Sequence, residues 1–391
     1  MTILISGGGI GGLAVAIALA VHGQRSHVLE QAEQFSEVGA GIQIGPNGMR
    51  LLSHWGLEPF LRDRGAMPIQ IRLCDGVNGR LLNLVPLGSY AKQRYGAPYR
   101  VFHRAELQEA LLQKARDLPE ISISTGFKVT RFLDHEDHVE VEGKNGQSAQ
   151  GRLLIGADGL WSRVRTQMQP NIRPAFYGKT AWRAIVPRAS APSPFNRVET
   201  GLWMAPDAHL VHYPVQGGEN LNLVAVINDR FDSESWSSPG DASELLAHYD
   251  SWHRTPRRFL GSVTGWQKWA LYGLDPLETW SRGRVTLLGD AAHPPIPFLA
   301  QGGVMALEDA FVLAQQLAHY EQNHRQAFQR YEQKRQERTA RVMRTAHKLG
   351  KIYHMKGLMR FARNSVLLSK KPEKLLAAYD WLYGFELDAT S

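Results

Sequence analysis

Six residues near the start of the chain, Gly7-Gly8-Gly9-Ile10-Gly11-Gly12, have the G-x-G-x-x-G spacing that lets a main chain wrap a pyrophosphate. Gly7 permits the tight turn, Gly9 lets the phosphates approach the backbone, and Gly12 lets a helix pack closely on a strand. Glu30, 23 residues after Gly7, is placed to accept hydrogen bonds from a ribose diol. The chemistry is dinucleotide binding, and this motif does not separate NAD from FAD. Two more acids stand at the ends of apolar runs: Asp158 in LLIGADGLWSRVR, followed by Ser162 and Arg165, and Asp290 in GRVTLLGDAAHPPIPFLAQGG. An acceptor such as Asp290 at a strand's carboxyl end suits a polyol chain, and Pro294-Pro295 forms a rigid wall for a flat ring. Gly302-Gly303 then open a helix whose free N–H groups and dipole favour negative charge.

These residues need strands and a helix to hold them, and the periodicity supplies both. Residues 2–6 (TILIS) read as a short buried strand, LAVAIALAVHG as a buried helix and residues 26–30 (SHVLE) as a second strand, completing a βαβ unit. From Glu37 to Leu57 a Gly-rich stretch passes into an amphipathic helix. Residues 69–85 and 121–141 alternate polar and apolar around turn signals and predict two antiparallel hairpins. Residues 180–274 are β-rich (TAWRAIV, HLVHYPV, LNLVAVI), with a helix expected near 241–259. A strand at 284–288 runs into the Asp290 motif, and a helix beginning near Gly303 presents Met305, Leu307, Ala310, Leu313 and Leu317 on its apolar face. The fold class is α/β, or α+β overall: a discontinuous Rossmann-like domain (1–70, 98–179 and 275–340), an inserted β-sheet substrate domain (71–97 and 180–274) and a C-terminal helical segment (341–391).

Taken together, the three motifs resemble the single-component FAD-dependent aromatic hydroxylases, and the likeness covers nearly the whole chain through GAGIQIGPN, His103-Arg104 before a helix, and the closing DWLYGF. Within that family the sequence is most similar to 3-hydroxybenzoate 6-hydroxylase, salicylate hydroxylase and 6-hydroxynicotinate 3-monooxygenase. The resemblance implies bound FAD, with Glu30 on the adenosine ribose, Arg104 on the cofactor's central part, Asp290 on the ribityl chain and Asp158 serving both FAD and the nicotinamide nucleotide. It adds Val129, Pro294 and Val304 to Gly7, Gly9, Gly12, Gly302 and Gly303 in the cofactor set. NADH or NADPH then binds transiently, because FAD occupies the single G-x-G-x-x-G. The implied reaction hydroxylates a small aromatic acid with O2 through a flavin hydroperoxide, while the protein orients and activates the ring.

A phenol becomes far more electron-rich when deprotonated, so an acid–base group is expected beside the ring hydroxyl. Strand period two puts His209, Val211 and Tyr213 on one face of AHLVHYP, and Leu210 and His212 on the other. Related hydroxylases carry the same H-x-x-x-Y-P pattern, which implies substrate binding and deprotonation by His209 and Tyr213. Arg183 is a candidate partner for a substrate carboxylate, and Trp182, Trp203 and Trp266 are candidate pocket walls. His293 is expected to brace the flavin loop. Where 3-hydroxybenzoate 6-hydroxylases tend to carry a Gln after the paired prolines this chain has Pro297, more like the hydroxynicotinate enzyme. Decarboxylating hydroxylation of salicylate or 6-hydroxynicotinate is therefore the alternative.

Composition bounds the other classes. The formal charge is +8, yet residues 338–371 hold ten Lys/Arg and no acid, and without those ten the balance is −2. The spacing of Val342, Ala346, Leu349 and Tyr353 predicts a helix lying on the protein with a solvated basic face, rather than a nucleic-acid or lipid-binding surface. The single Cys74 excludes an internal disulfide and multi-cysteine metal sites, and no apolar run is long enough to span a bilayer; a cytoplasmic protein without a signal peptide is expected. No metal site is expected: His209 and His212 point apart, and His135 and His138 sit in a charged turn without further ligands nearby. The expected partners are the aromatic substrate, O2 and a second copy in a homodimer. The rival classes are a flavin-free NAD(P) dehydrogenase, which leaves the Asp158 and Asp290 motifs idle, and a basic-surface binding protein.

Overall fold

The computed structural model describes residues 2–35, 40–231 and 237–387, so Glu37 lies outside the described residues. Around the glycine turn, five parallel strands run in the order Val285–Leu287, Leu153–Gly156, Ile3–Ser6, Ser26–Leu29 and Ile121–Ser124, with the short Ser281–Arg282 antiparallel at one edge. Ile3–Ser6 is buried at all four positions, as expected of a parallel strand covered on both faces. The helix Ile10–Val21 is buried over most of its surface and lies against the helix Gly302–His319.

The strand Ile121–Ser124 corrects one expectation. It belongs to the parallel sheet beside Ser26–Leu29 instead of opening a hairpin. The hairpin is formed by Val129–Asp134 and Val139–Gly143, with Ser148–Gly151 as a third strand. Period-two alternation identifies a strand but not its neighbour, and the neighbour here lies far back in the sequence. The hairpin expected over 69–85 is present as Gln70–Asp75 and Leu81–Pro86.

A second sheet of eight strands runs from Ser238–Pro239 through Gln267–Gly273, Ala175–Pro187, Asn220–Asn228, Ala208–Val215, Thr200–Ala205 and Gln70–Asp75 to Leu81–Pro86. One face packs on two short helices, Ala242–Ala247 and Arg254–Ser262, which replace the single helix expected near 241–259. The break falls where Tyr249 and Trp252 turn inward, and each helix has its own cap, Asp241 accepting from the Ser243 N–H and His253 from that of Thr255. Trp182, Trp203 and Trp266 sit in this core, so they are packing residues and not walls of the cavity described below. The opposite face carries Arg183, His209, Val211 and Tyr213 toward the first domain.

The long helix His324–Tyr353 runs without a break across position 341. Val342 and Ala346 are buried, and Leu349 and Tyr353 pack on the core, as their spacing predicts. The basic segment is not one helix with a uniformly solvated face: a second helix, Gly357–Ser369, follows, and several of its cations turn inward. Arg338 pairs with Glu308 at 2.6 Å, Arg360 with Asp75 at 2.7 Å, and Arg363 donates to the carbonyls of Ile352 and Tyr353. Among the described residues no helix is long and apolar enough to cross a membrane.

Candidate active site

The two sheets enclose a cavity of about 820 Å3, lined at one end by Gly9, Gly11 and Ala157 and at the other by Arg183, His209 and Tyr213. That volume lies within the range of small-molecule and cofactor sites. Gly7 has φ +103° and a Cβ there would lie 2.6 Å from the Ala157 carbonyl oxygen; a Cβ on Gly12 would lie 1.9 Å from the Gly7 carbonyl oxygen. Both positions therefore require glycine. Gly9 differs: nothing lies within 4 Å of its Cβ position, so the space above the turn and the amino end of helix Ile10–Val21 is open. That is the cradle a pyrophosphate needs.

Glu30 shapes the same turn, its carboxylate accepting from the Gly8 N–H at 2.6 Å and the Ala32 N–H at 2.8 Å. Asp290 opens into the cavity beside Gly302, whose Cβ position is 3.7 Å from its Oδ1. Enclosure by protein pushes the Asp290 carboxyl up, while Arg104, His293 and Arg165 pull the other way. Pro295 lines the cavity, whereas Pro294 beside it is buried. The first bond of helix Gly302–His319 runs from the Met305 N–H to the Gln301 carbonyl. The N–H groups of Gly302, Gly303 and Val304 precede it, Gly302 and Gly303 at the cavity wall and Val304 buried behind them. These residues suit FAD: Gly9 would hold the diphosphate, Asp290 the ribityl chain, and Pro295 with the start of helix Gly302–His319 the ring.

Other expected residues lie differently. Asp158 accepts from Ser162 Oγ at 2.5 Å, the Arg163 N–H at 2.7 Å and the Val164 N–H at 3.2 Å, so its carboxylate braces the first turn of helix Arg163–Met168, whose N-cap is Ser162. The cavity contacts of that motif come from Ala157 and Gly159. Arg165 ties the two acid motifs together, donating to the carbonyls of Ala291 and Leu160. Val129 is buried in its hairpin strand and is not among the cavity-lining residues. Arg104 lines the cavity at the start of helix Arg104–Arg116.

At the far end the strand Ala208–Val215 does what its period requires. His209 and Tyr213 face the cavity, and His212 turns into the other core against Phe195. His209 is buried between Phe298 and Tyr353, and its Nδ1 is 2.7 Å from His354 Nε2. Burial, with the charges of His354 and Lys179, holds its imidazole well below the ordinary range, so it is neutral near pH 7. Burial raises the Tyr213 phenol, which stays protonated. Arg183 stands over the Trp269 ring at 5.0 Å, and its Nε has no hydrogen-bond partner among the described residues.

The sequence reading missed a buried network behind the flavin loop. His293 Nε2 lies 2.5 Å from Asp309, whose carboxylate also accepts from the Gly289 N–H at 3.1 Å. Arg335 binds Asp309 and Glu308 at 2.7 Å each, and Asn47 joins Glu308 at 2.8 Å. Burial alone would raise the Asp309 carboxyl, but His293 and Arg335 pull it below its usual range. An adjacent acid pair in an otherwise apolar helix was the available signal. His354 and Lys179, behind His209, were also missed. Away from the cavity, Glu140 brings a third ligand atom within 4.8 Å of those of His135 and His138, correcting the expectation that this turn has no further ligand nearby.

The family described as FAD binding domain matches residues 1–346. The 3-hydroxybenzoate 6-hydroxylase of Polaromonas naphthalenivorans (strain CJ2) is 35% identical over 388 residues, 99% of this chain and 96% of its own length. The 6-hydroxynicotinate 3-monooxygenase of Bordetella bronchiseptica is 36% identical over 351 residues, 88% of this chain and 90% of its own. Among solved structures, Klebsiella pneumoniae HpxO complexed with FAD and uric acid superposes with a TM-score of 0.85 at 25% identity, covering 98% of this chain and 96% of that one. A salicylate hydroxylase substrate complex shares the fold, with a TM-score of 0.83 at 23% identity over 100% of this chain and 96% of that one. Both the glycine cradle and these full-length matches lead to one conclusion: the chain belongs to the FAD binding domain family, among its single-component aromatic hydroxylases.

Proposed function

We propose that this enzyme hydroxylates a small hydroxylated aromatic acid of the hydroxybenzoate type, with Arg183, His209 and Tyr213 as its substrate residues. Bound FAD, reduced by transiently bound NADH or NADPH, supplies the activation of dioxygen. The observation that carries the reading is the continuous cavity joining the Gly9, Asp290 and Gly302 cradle to those three side chains.

Each residue has work that its surroundings suit. Arg183, whose side chain lines the cavity, pairs with a carboxylate and so fixes the ring's direction. Tyr213 keeps its proton and donates to the substrate. His209 is neutral, so its Nε2, the ring nitrogen not engaged by His354, accepts the proton of the ring hydroxyl. Phe298 and Leu299 beside it keep water from the ring. Pro297 at the same wall favours a second reading, decarboxylating hydroxylation of 6-hydroxynicotinate. A cytoplasmic homodimer completes the reading; the exposed Leu358, Met359 and Phe361 support the dimer, which sedimentation velocity tests directly.

The test is a screen of hydroxybenzoates and hydroxynicotinates for stimulated NAD(P)H oxidation, with each product identified. His209→Gln is expected to slow hydroxylation by about 100-fold while NAD(P)H still reduces the flavin. Hydroxylation by that variant at the wild-type rate removes His209 from the mechanism, and no hydroxylated product from any compound overturns the proposal.

A further inference from the structure

We infer that His354 and Lys179 are the outlet of a proton relay that begins at His209 and ends at the protein surface. The inference rests on the reading of His209 as the group that takes the substrate's proton.

The geometry is a row of four side chains from four different elements. His209, on strand Ala208–Val215, places Nδ1 2.7 Å from Nε2 of His354, which terminates the long helix His324–Tyr353. The other nitrogen of His354, Nδ1, lies 3.1 Å from Lys179 Nζ and 3.1 Å from Asn228 Oδ1. Lys179 also donates to Asn228 Oδ1. The Asn228 amide is held by its Nδ2 donating to Asp207 at 2.8 Å, which fixes Oδ1 as the oxygen turned toward His354. Lys179 is only half-buried, and Asp207 beyond it is exposed, so the row leads from the cavity wall to solvent.

Two imidazoles joined nitrogen to nitrogen can pass a proton without either of them rotating. In the resting arrangement both carry hydrogen on Nδ1: His209 donates to His354 Nε2, and His354 donates to Asn228 Oδ1, beside the Lys179 ammonium. When the substrate O–H bond breaks, its proton bonds to His209 Nε2. Lys179 first gives one ammonium proton to water; the hydrogen on His209 Nδ1 then moves to His354 Nε2, and the one on His354 Nδ1 moves to the freed Lys179 Nζ, which is an ammonium again. One proton leaves the substrate, one reaches solvent, and both histidines end neutral in the opposite tautomer.

This arrangement solves a problem that His209 alone does not. The imidazolium form of a histidine at this position is strongly disfavoured, because burial, His354 and Lys179 all act against it. His354 is held down to about 3 by burial, Lys179 and Arg363, and burial lowers Lys179. A proton therefore does not rest on either ring and has to move through both. The charged and titratable groups facing His354 are Lys179 from strand Ala175–Pro187, Arg363 from helix Gly357–Ser369, and His209; Asp207 stands behind Asn228, paired with Lys356 at 3.7 Å.

The experiment compares His354→Ala, Lys179→Met and His209→Gln with wild type, each as the FAD-loaded enzyme. It uses 3-hydroxybenzoate or 6-hydroxynicotinate, whichever the wild type hydroxylates. FAD content, substrate Kd by flavin absorbance and single-turnover hydroxylation across pH are measured. His354→Ala is expected to keep FAD and bind substrate within about threefold of wild type, to hydroxylate about 100-fold more slowly, and to recover rate on adding imidazole. Lys179→Met leaves the buried pair in place and is expected to slow hydroxylation and displace the acid limb of its pH profile. A structural role alone predicts lost FAD or weakened binding without rescue by imidazole. If His209→Gln is slow while His354→Ala and Lys179→Met run at the wild-type rate, the relay is wrong and His209 stands. If His209→Gln itself runs at the wild-type rate, the underlying assignment has failed.

Discussion

We propose that FAD retention turns on Asp290. Its carboxylate stands at the end of strand Val285–Leu287, open to the cavity and facing the helix start at Gly302. A charge-assisted hydrogen bond to a ribityl hydroxyl contributes about 1.5–3 kcal/mol, so its loss weakens FAD binding by roughly 10- to 100-fold. Asp290→Ala is therefore expected to emerge from gel filtration with substoichiometric FAD, read from the flavin absorbance per protein; full wild-type stoichiometry would remove Asp290 from the cofactor site. Asp158 is held differently. Its sequence context is as suggestive as that of Asp290, yet its oxygens are spent on Ser162 and two backbone N–H groups. A short strand-end acid before a helix serves as a cap or a ligand with the same residues, and only the direction of the side chain separates the two.

Among the elements, those with a local cause were legible. The glycine turn, the strands on either side of it and the facing of His209 and Tyr213 all follow from steric limits and periodicity within a few residues. The partners of Glu308 and Asp309 were not, because Arg335 lies 27 and 26 residues farther on and nothing local marks it as a counter-ion. His354 is 145 residues from His209, and no sequence rule connects them. The acid pair nevertheless locks together helix Gly302–His319, helix His324–Tyr353 and the loop carrying Gly289 and His293. Removing the cation leaves two carboxylates with no exposure to water, Glu308 with only Arg338 and Asp309 with only His293 as charged partner, a change that costs up to about 3–5 kcal/mol. Arg335→Met should lower the urea midpoint accordingly in the presence of excess FAD. Arg344→Met, at an exposed pair with Glu337, should move stability by less than about 1 kcal/mol. Equal midpoints for the two variants would mean that the network does not hold these elements.

For the whole molecule, the response to acid follows from a histidine on the side of the large sheet away from the cavity. His212 is buried beside Phe195, accepts a long bond from Trp203 Nε1 at 3.3 Å, and has an Nδ1 without a partner among the described residues. Burial, helped by Arg72, lowers its imidazole to about 3. In the unfolded chain the same ring titrates near 6.5, so between these values the unfolded state binds the extra proton. The His212 contribution is then at full strength above pH 6.5 and is lost at about 1.4 kcal/mol per pH unit as pH falls toward 3, with His209 and His354 acting in the same sense. A glutamine at this position fills less of the space against Gly201, where the His212 ring lies 1.9 Å from a Cβ position, so His212→Gln should be less stable at pH 7. It carries no titrating ring, however, and its loss of stability between pH 7 and pH 5 should be smaller than that of the wild type by about 2 kcal/mol. Urea unfolding at the two pH values reads that difference; parallel losses in wild type and variant would show that His212 is not held neutral, and that the acid limb belongs to other buried groups.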